Sequence, residues 1–504
     1  MSSPPTASVP DGGRAPEPVD LLDSPAAGAA AVRGGVLRVV SYFAAMLLSV
    51  GSAALLFRHL GTIDTGRYSL AVYLIAIVAG VSDLGLTAVG VREFSVRTGT
   101  SRDALARNLL GFRLALSVAG VAVIVAFSLA AGYVTVVTLG VVVAGVGLVL
   151  QSAQSTLTIA LISELKLGWV ATFDFLRAAL TAVAVVALIL LSGTLLSFLA
   201  VTVPVGVVLL VVNVRVLRGR MAMRPAFELR EWWGLVRDVL PYSVAVAAAT
   251  LYFYLAVVLV SLLTGPKILG YFSVSVRVIQ VLLVMPGLAV GAAFPIFSRA
   301  ARDDRARLGY ALGRVFEVSL VVGAFVALCL AIGAPLAIRI LGGPGFAKAA
   351  PLLAIQSVGL GASFVGAVWA NGLLSLHRYR EILIISLIAL MGGGGLIAGL
   401  VELDGVTGAA IATAADEFVL ALMTGVALWQ ADRSLAPPLR NVPAVALGVG
   451  LGVATTLLDL PNVLSVVLGG AAYGAVVLAL GAVPRELLEH VPGWPGRPRP
   501  GPLR

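Results

Sequence analysis

Fourteen stretches of mostly apolar residues, each roughly 18 to 26 long, follow one another along this chain, and each is able to cross a hydrocarbon core of about 30 Å as a helix. In lipid every backbone N–H and C=O must find its partner within the protein, so a chain built this way is confined to a bundle of membrane-spanning helices. The stretches fall at 36–57, 68–90, 109–131, 134–158, 170–191, 195–214, 241–262, 270–295, 315–334, 350–374, 381–401, 407–429, 442–458 and 463–483. The composition agrees: 59% hydrophobic and 12% charged residues lie outside the range of soluble domains, which run about 45–50% apolar and about 25% charged. A formal charge of +10 would suggest nucleic acid in a soluble chain, but here the cations have to be located first, and no nucleic-acid partner is expected.

Most of those cations follow the spans. With the N-terminus in the cytoplasm, 28 of the 35 Arg and Lys fall in cytoplasmic segments, including Arg92 to Arg113, Arg215 to Arg237 and Arg299 to Arg314. Arg58, Arg67, Lys267, Arg339 and Lys348 fall outside, and Arg177 and Arg277 fall within spans. This is the asymmetry of the positive-inside rule, so the basic balance is a topology signal before anything else. Residues 1–32, rich in Pro, Ala, Gly and Ser and without an apolar run, read as a disordered cytoplasmic tail, leaving the first span to act as its own uncleaved signal. The external loops are short, the longest near 335–349, and no soluble domain hangs from them. The largest cytoplasmic loop, 215–240, separates six spans from eight and contains an amphipathic piece, 227–240, whose Trp232 and Trp233 suit a helix lying in the interface.

An internal repeat crosses that divide. TIDTGRYSLAV at 62–72 pairs with PKILGYFSVSV at 266–276, setting Gly66 over Gly270 and Ser69 over Ser273 at an offset of 204 residues. Six spans separate the copies, so both run the same way and the repeats are parallel. The second span carries small and polar residues at helical spacing, Ser69, Tyr73, Ala76, Gly80, Asp83, Thr87 and Gly90, the pattern of a helix that faces a cavity inside a bundle.

The intramembrane ionisable residues are the candidates for function, because a charge facing lipid costs about 2.5 kcal/mol or more even on insertion scales. Asp83 could brace Arg92 or a neighbouring helix, or face the cavity. Asp174 and Arg177, spaced i,i+3, could form a structural ion pair or serve the path. Arg277 has no acid three or four residues away and shares a stripe with Gly270, Ser273 and Gln280, which favours a cavity-facing role over an interlobe salt bridge. Asp416 and Glu417 are adjacent and point about 100° apart, so only one is expected on the stripe of Thr413 and Thr424. Gln151, Gln154, Ser155 and Thr158 form a polar face on the fourth span, suited to sugar hydroxyls or equally to interhelical hydrogen bonds, and Gln356, Ser363 and Asn371 do the same on the tenth. Asp83, Asp174, Asp416 and Glu417 are the candidates for ion coupling or gating.

Enzyme signatures are poor. His59, His377 and His490 are the only histidines and show no ligand spacing, Cys329 is the only cysteine, and no metal or other cofactor is expected. The run Gly392 to Gly395 lies inside an apolar span without a following Lys-Ser/Thr, so it reads as close helix approach or a local break rather than a phosphate loop.

The segments SDLGLTAVGVREFS at 82–95, LGYFSVSVRVIQ at 269–280 through MPGLAVGAAFPIFSR at 285–299, and GFAKAAPLLAIQSVGLGASFVGAVWANGLLSLHR at 345–378 resemble the Wzx-like polysaccharide flippases of the MOP superfamily, over most of 35–433. The resemblance implies an all-α polytopic membrane protein with two six-helix lobes around a cleft and two further C-terminal helices. The corresponding layout is a cytoplasmic tail (1–32), a first lobe (33–216), a linker (217–240), a second lobe (241–430), two accessory helices (441–484) and a cytoplasmic tail (485–504). It implies a plasma-membrane transporter, not an enzyme, that flips a polyprenyl-pyrophosphate-linked oligosaccharide from the inner to the outer leaflet by alternating access. Arg277, Arg177, Gln151, Gln154, Gln280, Gln356 and Asn371 would line its cleft, and polysaccharide assembly proteins would stand beside membrane lipid as partners. The arginine-rich opening motif of the related peptidoglycan-precursor flippases has no match near the first span, which argues against lipid II as cargo. Two rivals are a cation-coupled multidrug exporter of the same superfamily, against which the arginines of spans five and eight argue, and a membrane glycosyltransferase or polysaccharide polymerase, which would need substantial external loops.

The charge pattern predicts that reporter fusions after residues 60, 265, 345 and 404 read external and those after 100, 228, 305 and 436 cytoplasmic. A consistent inversion from any point onward would remove the parallel repeat with it.

Overall fold

In a computed structural model of the chain, residues 25–482 are described, apart from 84, 165 and 219–222. The first helix, Pro25–Asp83, has 59 residues, which as one straight rod would reach about 89 Å, far more than one crossing needs. It breaks at Gly61, whose φ of 69° lies in the left-handed region that glycine enters without steric cost. Spans one and two are therefore 25–60 and 62–83, and span two resumes as Leu86–Val96 after Gly85, at φ 72°. The same happens in Tyr379–Ala431, which breaks at Asp404 and Gly405 into spans eleven and twelve.

The other crossings are Gly99–Ala130, Thr135–Ser163, Leu167–Leu190, the pair Leu195–Ala200 and Thr202–Leu217, Leu229–Leu263, the pair Pro266–Leu282 and Val284–Asp303, Arg305–Leu341, Ala350–Ser375, Val442–Ala454 with its short extension Thr455–Leu458, and Asn462–Ala479. Among the described residues eleven helices meet the length and hydropathy of a span; two of them contain the reversals just described and Ala247–Leu263 adds a shorter one, which makes the fourteen crossings expected. The protein is a multi-pass, all-α membrane protein.

Two expectations need correction. Residues 25–32, assigned to the disordered tail, are already helical, because alanine-rich sequence propagates span one backwards; residues 1–24 and the tail 485–504 lie outside the described residues. The piece 227–240 is no separate interfacial helix but, from Leu229, the start of span seven. It is strapped to span three, where the Ala226 N–H donates to the Arg107 carbonyl (2.9 Å) and the Glu228 N–H to Asn108 Oδ1 (3.3 Å). Trp232 then turns inward, 5.2 Å from the Phe112 ring centre, while Trp233 stays exposed.

Packing differs between the two ends of the bundle. At the end carrying the 1–2 turn, buried apolar clusters mix both lobes: Leu70, Tyr73 and Val141 with Val257, Phe272 and Ile397, and Leu56 and Phe57 with Tyr271, Ile338 and Phe346. At the opposite end each lobe keeps its own cluster, Leu86, Leu109, Ile159 and Leu209 in the first, Val290, Phe297, Leu312 and Val368 in the second. The lobes thus meet at one end and part at the other. The accessory helices pack on span nine through Leu328, Tyr473 and Val477, with the Tyr473 hydroxyl donating to the Val321 carbonyl (2.8 Å).

The repeat is written into the interlobe contact. A Cβ built on Gly66 would run into the Pro266 carbonyl oxygen, and a Cβ on Gly270 would run into the carbonyl oxygen of Thr62, the repeat equivalent of Pro266. Such reciprocity is the mark of a two-fold relation, here between spans two and eight. Small residues let backbones approach, which is how helices associate where lipid removes the hydrophobic drive.

Gly66→Ala and Gly270→Ala are expected to lower thermal stability in detergent to a similar extent, by about 1–3 kcal/mol as for overpacking. Gly51→Ala, where a Cβ meets open space, should leave it unchanged. Unequal effects of the two repeat positions would argue against the two-fold contact.

Candidate functional site

Where the lobes part, a cavity of about 860 Å³ opens between spans one, two, five and eight. Its charged lining consists of Asp174, Arg177 and Arg277, joined by Ser49, Ser69, Tyr73, Thr181 and Gln280, while aliphatic and aromatic side chains of span one make up much of the remaining wall. Two arginines in an apolar surround set a positive potential inside a low-dielectric wall.

The two arginines are held differently. Arg277 donates from Nη2 to Ser49 Oγ (2.9 Å) on span one, and among the described residues no carboxylate pairs with it. Among the described residues the alternative of an interlobe salt bridge has no paired acid. Arg177 donates to Gln154 Oε1 on span four and shares the cavity wall with Asp174, whose charge acts on it from the preceding turn.

Part of the polar face of span four serves as interhelical glue. The Asn213 side-chain amide of span six donates to the Gln154 carbonyl (3.1 Å) and to Thr158 Oγ1 (3.0 Å), so the polar face fastens spans four and six and presents only the Gln154 side chain toward Arg177. Gln151 is exposed and Asn371 donates to the Ala367 carbonyl of its own helix (2.8 Å); neither lines a cavity described here.

Gln280 links the cleft to a second, smaller cavity of about 90 Å³ inside the C-terminal lobe, because it lines both. Its Oε1 accepts from the Tyr73 hydroxyl across the lobes (3.2 Å), whereas its buried Nε2 finds no partner among the described atoms. The second cavity holds Tyr252, Gln356, Ser363, Thr413, Asp416 and Glu417. Glu417 accepts from the Ser363 hydroxyl (2.7 Å) and the Tyr252 hydroxyl (3.3 Å). Asp416 faces it too, against Gly393, where any side chain would collide with the carboxylate. Both carboxylates reach the cavity although they point about 100° apart, because it wraps the flanks of span twelve, meeting span ten on the side of Glu417 and span eleven on the side of Asp416.

Asp83 stands apart from both cavities. It forms an ion pair with Arg113 of span three and accepts from the Thr87 hydroxyl (2.6 Å), beside the break at Gly85; Arg92 instead pairs with Glu93 (2.9 Å). Arg113, counted by the charge pattern among cytoplasmic residues, is buried inside the bundle. Glu317 of span nine was not anticipated: only 2% exposed, it takes Arg314 (2.9 Å) and Arg440 (2.7 Å), tying span thirteen to the second lobe. Among the described residues no three His, Cys, Asp or Glu side chains converge as a metal site.

A family model described as polysaccharide biosynthesis protein matches residues 55–351. Two solved structures share the fold. The lipid II flippase MurJ in an inward closed conformation is 12% identical, with a TM-score of 0.74 over 90% of this chain and 99% of that one. A multidrug resistance MATE family transporter of the MOP superfamily, inward-facing, is 16% identical, with a TM-score of 0.63 over 79% and 98%. No curated protein matches the sequence significantly.

Arg113→Leu and Asp83→Leu are each expected to cost about 2 kcal/mol of stability, below the 3–5 typical of fully buried pairs because Asp83 is partly exposed, and the double variant should cost less than the sum of the two. Thermal unfolding in detergent measures the cycle; strict additivity would mean the pair contributes nothing.

Proposed function

Since this chain belongs to the polysaccharide biosynthesis protein family, we propose that it flips a polyprenyl-pyrophosphate-linked oligosaccharide from the inner to the outer leaflet by alternating access of its two lobes. The observation that carries this reading is Arg277, a guanidinium inside an interlobe cavity whose one hydrogen-bonded partner among the described residues is a serine hydroxyl. A pyrophosphate supplies the charge and the paired oxygens that its planar fork matches. Arg177, with Gln154 behind it, makes an earlier contact on the same path, and Gln280 and the hydroxyls of the wall suit a glycan.

The basic end of the bundle faces the cytoplasm in this reading, with both termini there and the protein in the cell membrane. The cavity, closed by the apolar clusters at the 1–2 turn, is then open inward. The prenyl chain stays in lipid while pyrophosphate and sugars occupy the cleft, and no bond is made or broken. Polysaccharide assembly proteins would act before and after the step.

Asp416 and Glu417 serve ion coupling, since a cavity of about 90 Å³ lined by two carboxylates admits an ion or waters and falls well short of the roughly 300–1,000 Å³ of small-molecule sites. The same size argues against a multidrug exporter that would bind its cargo on these carboxylates. Asp174, which shares the wall with Arg177, is the gating candidate inside the cleft, and Asp83 acts on gating through span two and Arg113.

Glycan reaching the surface of a strain that lacks its own exporter measures the Arg277 role. Export should fall several-fold in Arg277→Lys, which keeps the charge and loses the fork, and about tenfold or more in Arg277→Ala, with protein abundance unchanged. Wild-type export by the alanine variant would sink the phosphate role.

A further inference from the structure

Beyond the apolar closure, at the 1–2 turn, lies another recess of about 860 Å³, between the end of span one, the start of span eight and the hairpin joining spans nine and ten. Three cations line it, Arg58, Lys267 and Arg339, and no carboxylate does. Only five Arg and Lys stand at this end of the protein, which the positive-inside rule depletes of them, and of the other two Arg67 is paired with Asp64 (3.0 Å). Among the described residues neither the Lys267 nor the Arg339 side chain has an ion-pair or hydrogen-bond partner. Arg58 is anchored through Nη2 alone, to the carbonyls of Arg339 (3.1 Å) and Ile340 (2.6 Å), which leaves its Nε and Nη1 uncommitted. Gly343, at φ 80°, lies against the stem of Arg58, so the loop offers bare backbone beneath the guanidinium. Three like charges around one recess repel each other until an anion sits among them.

The recess adjoins the path. Phe57 lines the central cavity and Arg58, the next residue, lines the recess, with Leu56, Phe57, Tyr271 and Phe346 forming the closure between them. Along span eight Lys267 precedes Arg277 by ten residues, a rise of about 15 Å. Leu336 and Ile340 add an apolar flank beside the cations.

We infer that this recess is a receiving site for a prenyl pyrophosphate, binding the phosphates of the lipid carrier after they pass the closure and before the lipid leaves. The assignment rests on the flippase reading above. Arg58, Lys267 and Arg339 hold the phosphates while Leu336 and Ile340 meet the first isoprene units.

The full-length protein in nanodiscs of neutral phosphatidylcholine is titrated with geranyl pyrophosphate and with inorganic pyrophosphate. Lys267→Gln/Arg339→Gln should weaken geranyl pyrophosphate binding about tenfold, in the wild-type and in the Arg277→Ala background alike. Both side chains are exposed, so folding is not at stake. Geranyl pyrophosphate should bind several-fold more tightly than pyrophosphate. Unchanged binding in the double variant overturns the site, and equal affinity for the two probes overturns the lipid assignment in favour of a free phosphate. If Arg277→Ala alone leaves binding and export intact while the double variant weakens binding, the central-cavity reading fails and the recess stands.

Discussion

The backbone-to-backbone approach of Gly66 and Gly270 is the contact on which the remaining architecture depends. In lipid, helices gain little from burying apolar surface against one another, and close packing at small residues takes that role. This contact joins equivalent points of the two repeats at one end of the membrane, so the clusters around Phe272 and Phe346 form there with residues of both lobes. At the far end the apolar clusters of the lobes remain separate, and the link between them there runs through the strap before span seven, where Gly111 lies against the Ala226 carbonyl. The cleft lies between spans one, two, five and eight, beside the glycine contact of spans two and eight.

The charges inside the bundle sort by where they stand. Asp83 with Arg113, and Glu317 with Arg314 and Arg440, lie within single lobes or fasten an accessory helix to one, and each carboxylate meets a guanidinium. Arg277, on the wall between the lobes, meets a hydroxyl, and Arg177 adds an amide to the nearby charge of Asp174. A neutral partner orients a guanidinium without cancelling its charge, so the cleft remains electropositive, whereas the second cavity carries the carboxylates of Asp416 and Glu417.

Much of this was legible in the chain. Span number, the reversals near 61 and 405 and the repeat offset follow from hydropathy, glycine placement and charge, all local signals. The burial of Arg113 was not legible, because its partner lies thirty residues away on another helix, and a basic residue at a span boundary looks the same whether it faces water or a neighbour. The fate of 227–240 was missed for a related reason: amphipathic spacing says which face is apolar and does not say whether lipid or Phe112 covers it. The polar face of span four could be read either as sugar site or as glue, and Asn213, on a different span, takes up Thr158 while the Gln154 side chain turns to Arg177, a division that spacing on one helix does not show. Asp416 and Glu417 stood out as intramembrane carboxylates, but that both line one cavity depends on how spans ten and eleven curve around span twelve, which helical spacing on a single span does not carry.

The thin apolar closure of Leu56, Phe57, Tyr271 and Phe346 has an electrical consequence. Water in a cleft open at one end conducts, so the membrane voltage falls across the closure and hardly at all along the cleft. Each elementary charge carried through the full voltage exchanges about 2.3 kcal/mol per 100 mV with the field. In the proposed orientation, with the cleft open to a negative cytoplasm, an anionic cargo moved from Arg277 past the closure would travel down that field over a few residues. The buried apolar layer would then act as a capacitor gap, concentrating the electrical work of the proposed transport on the crossing of the closure.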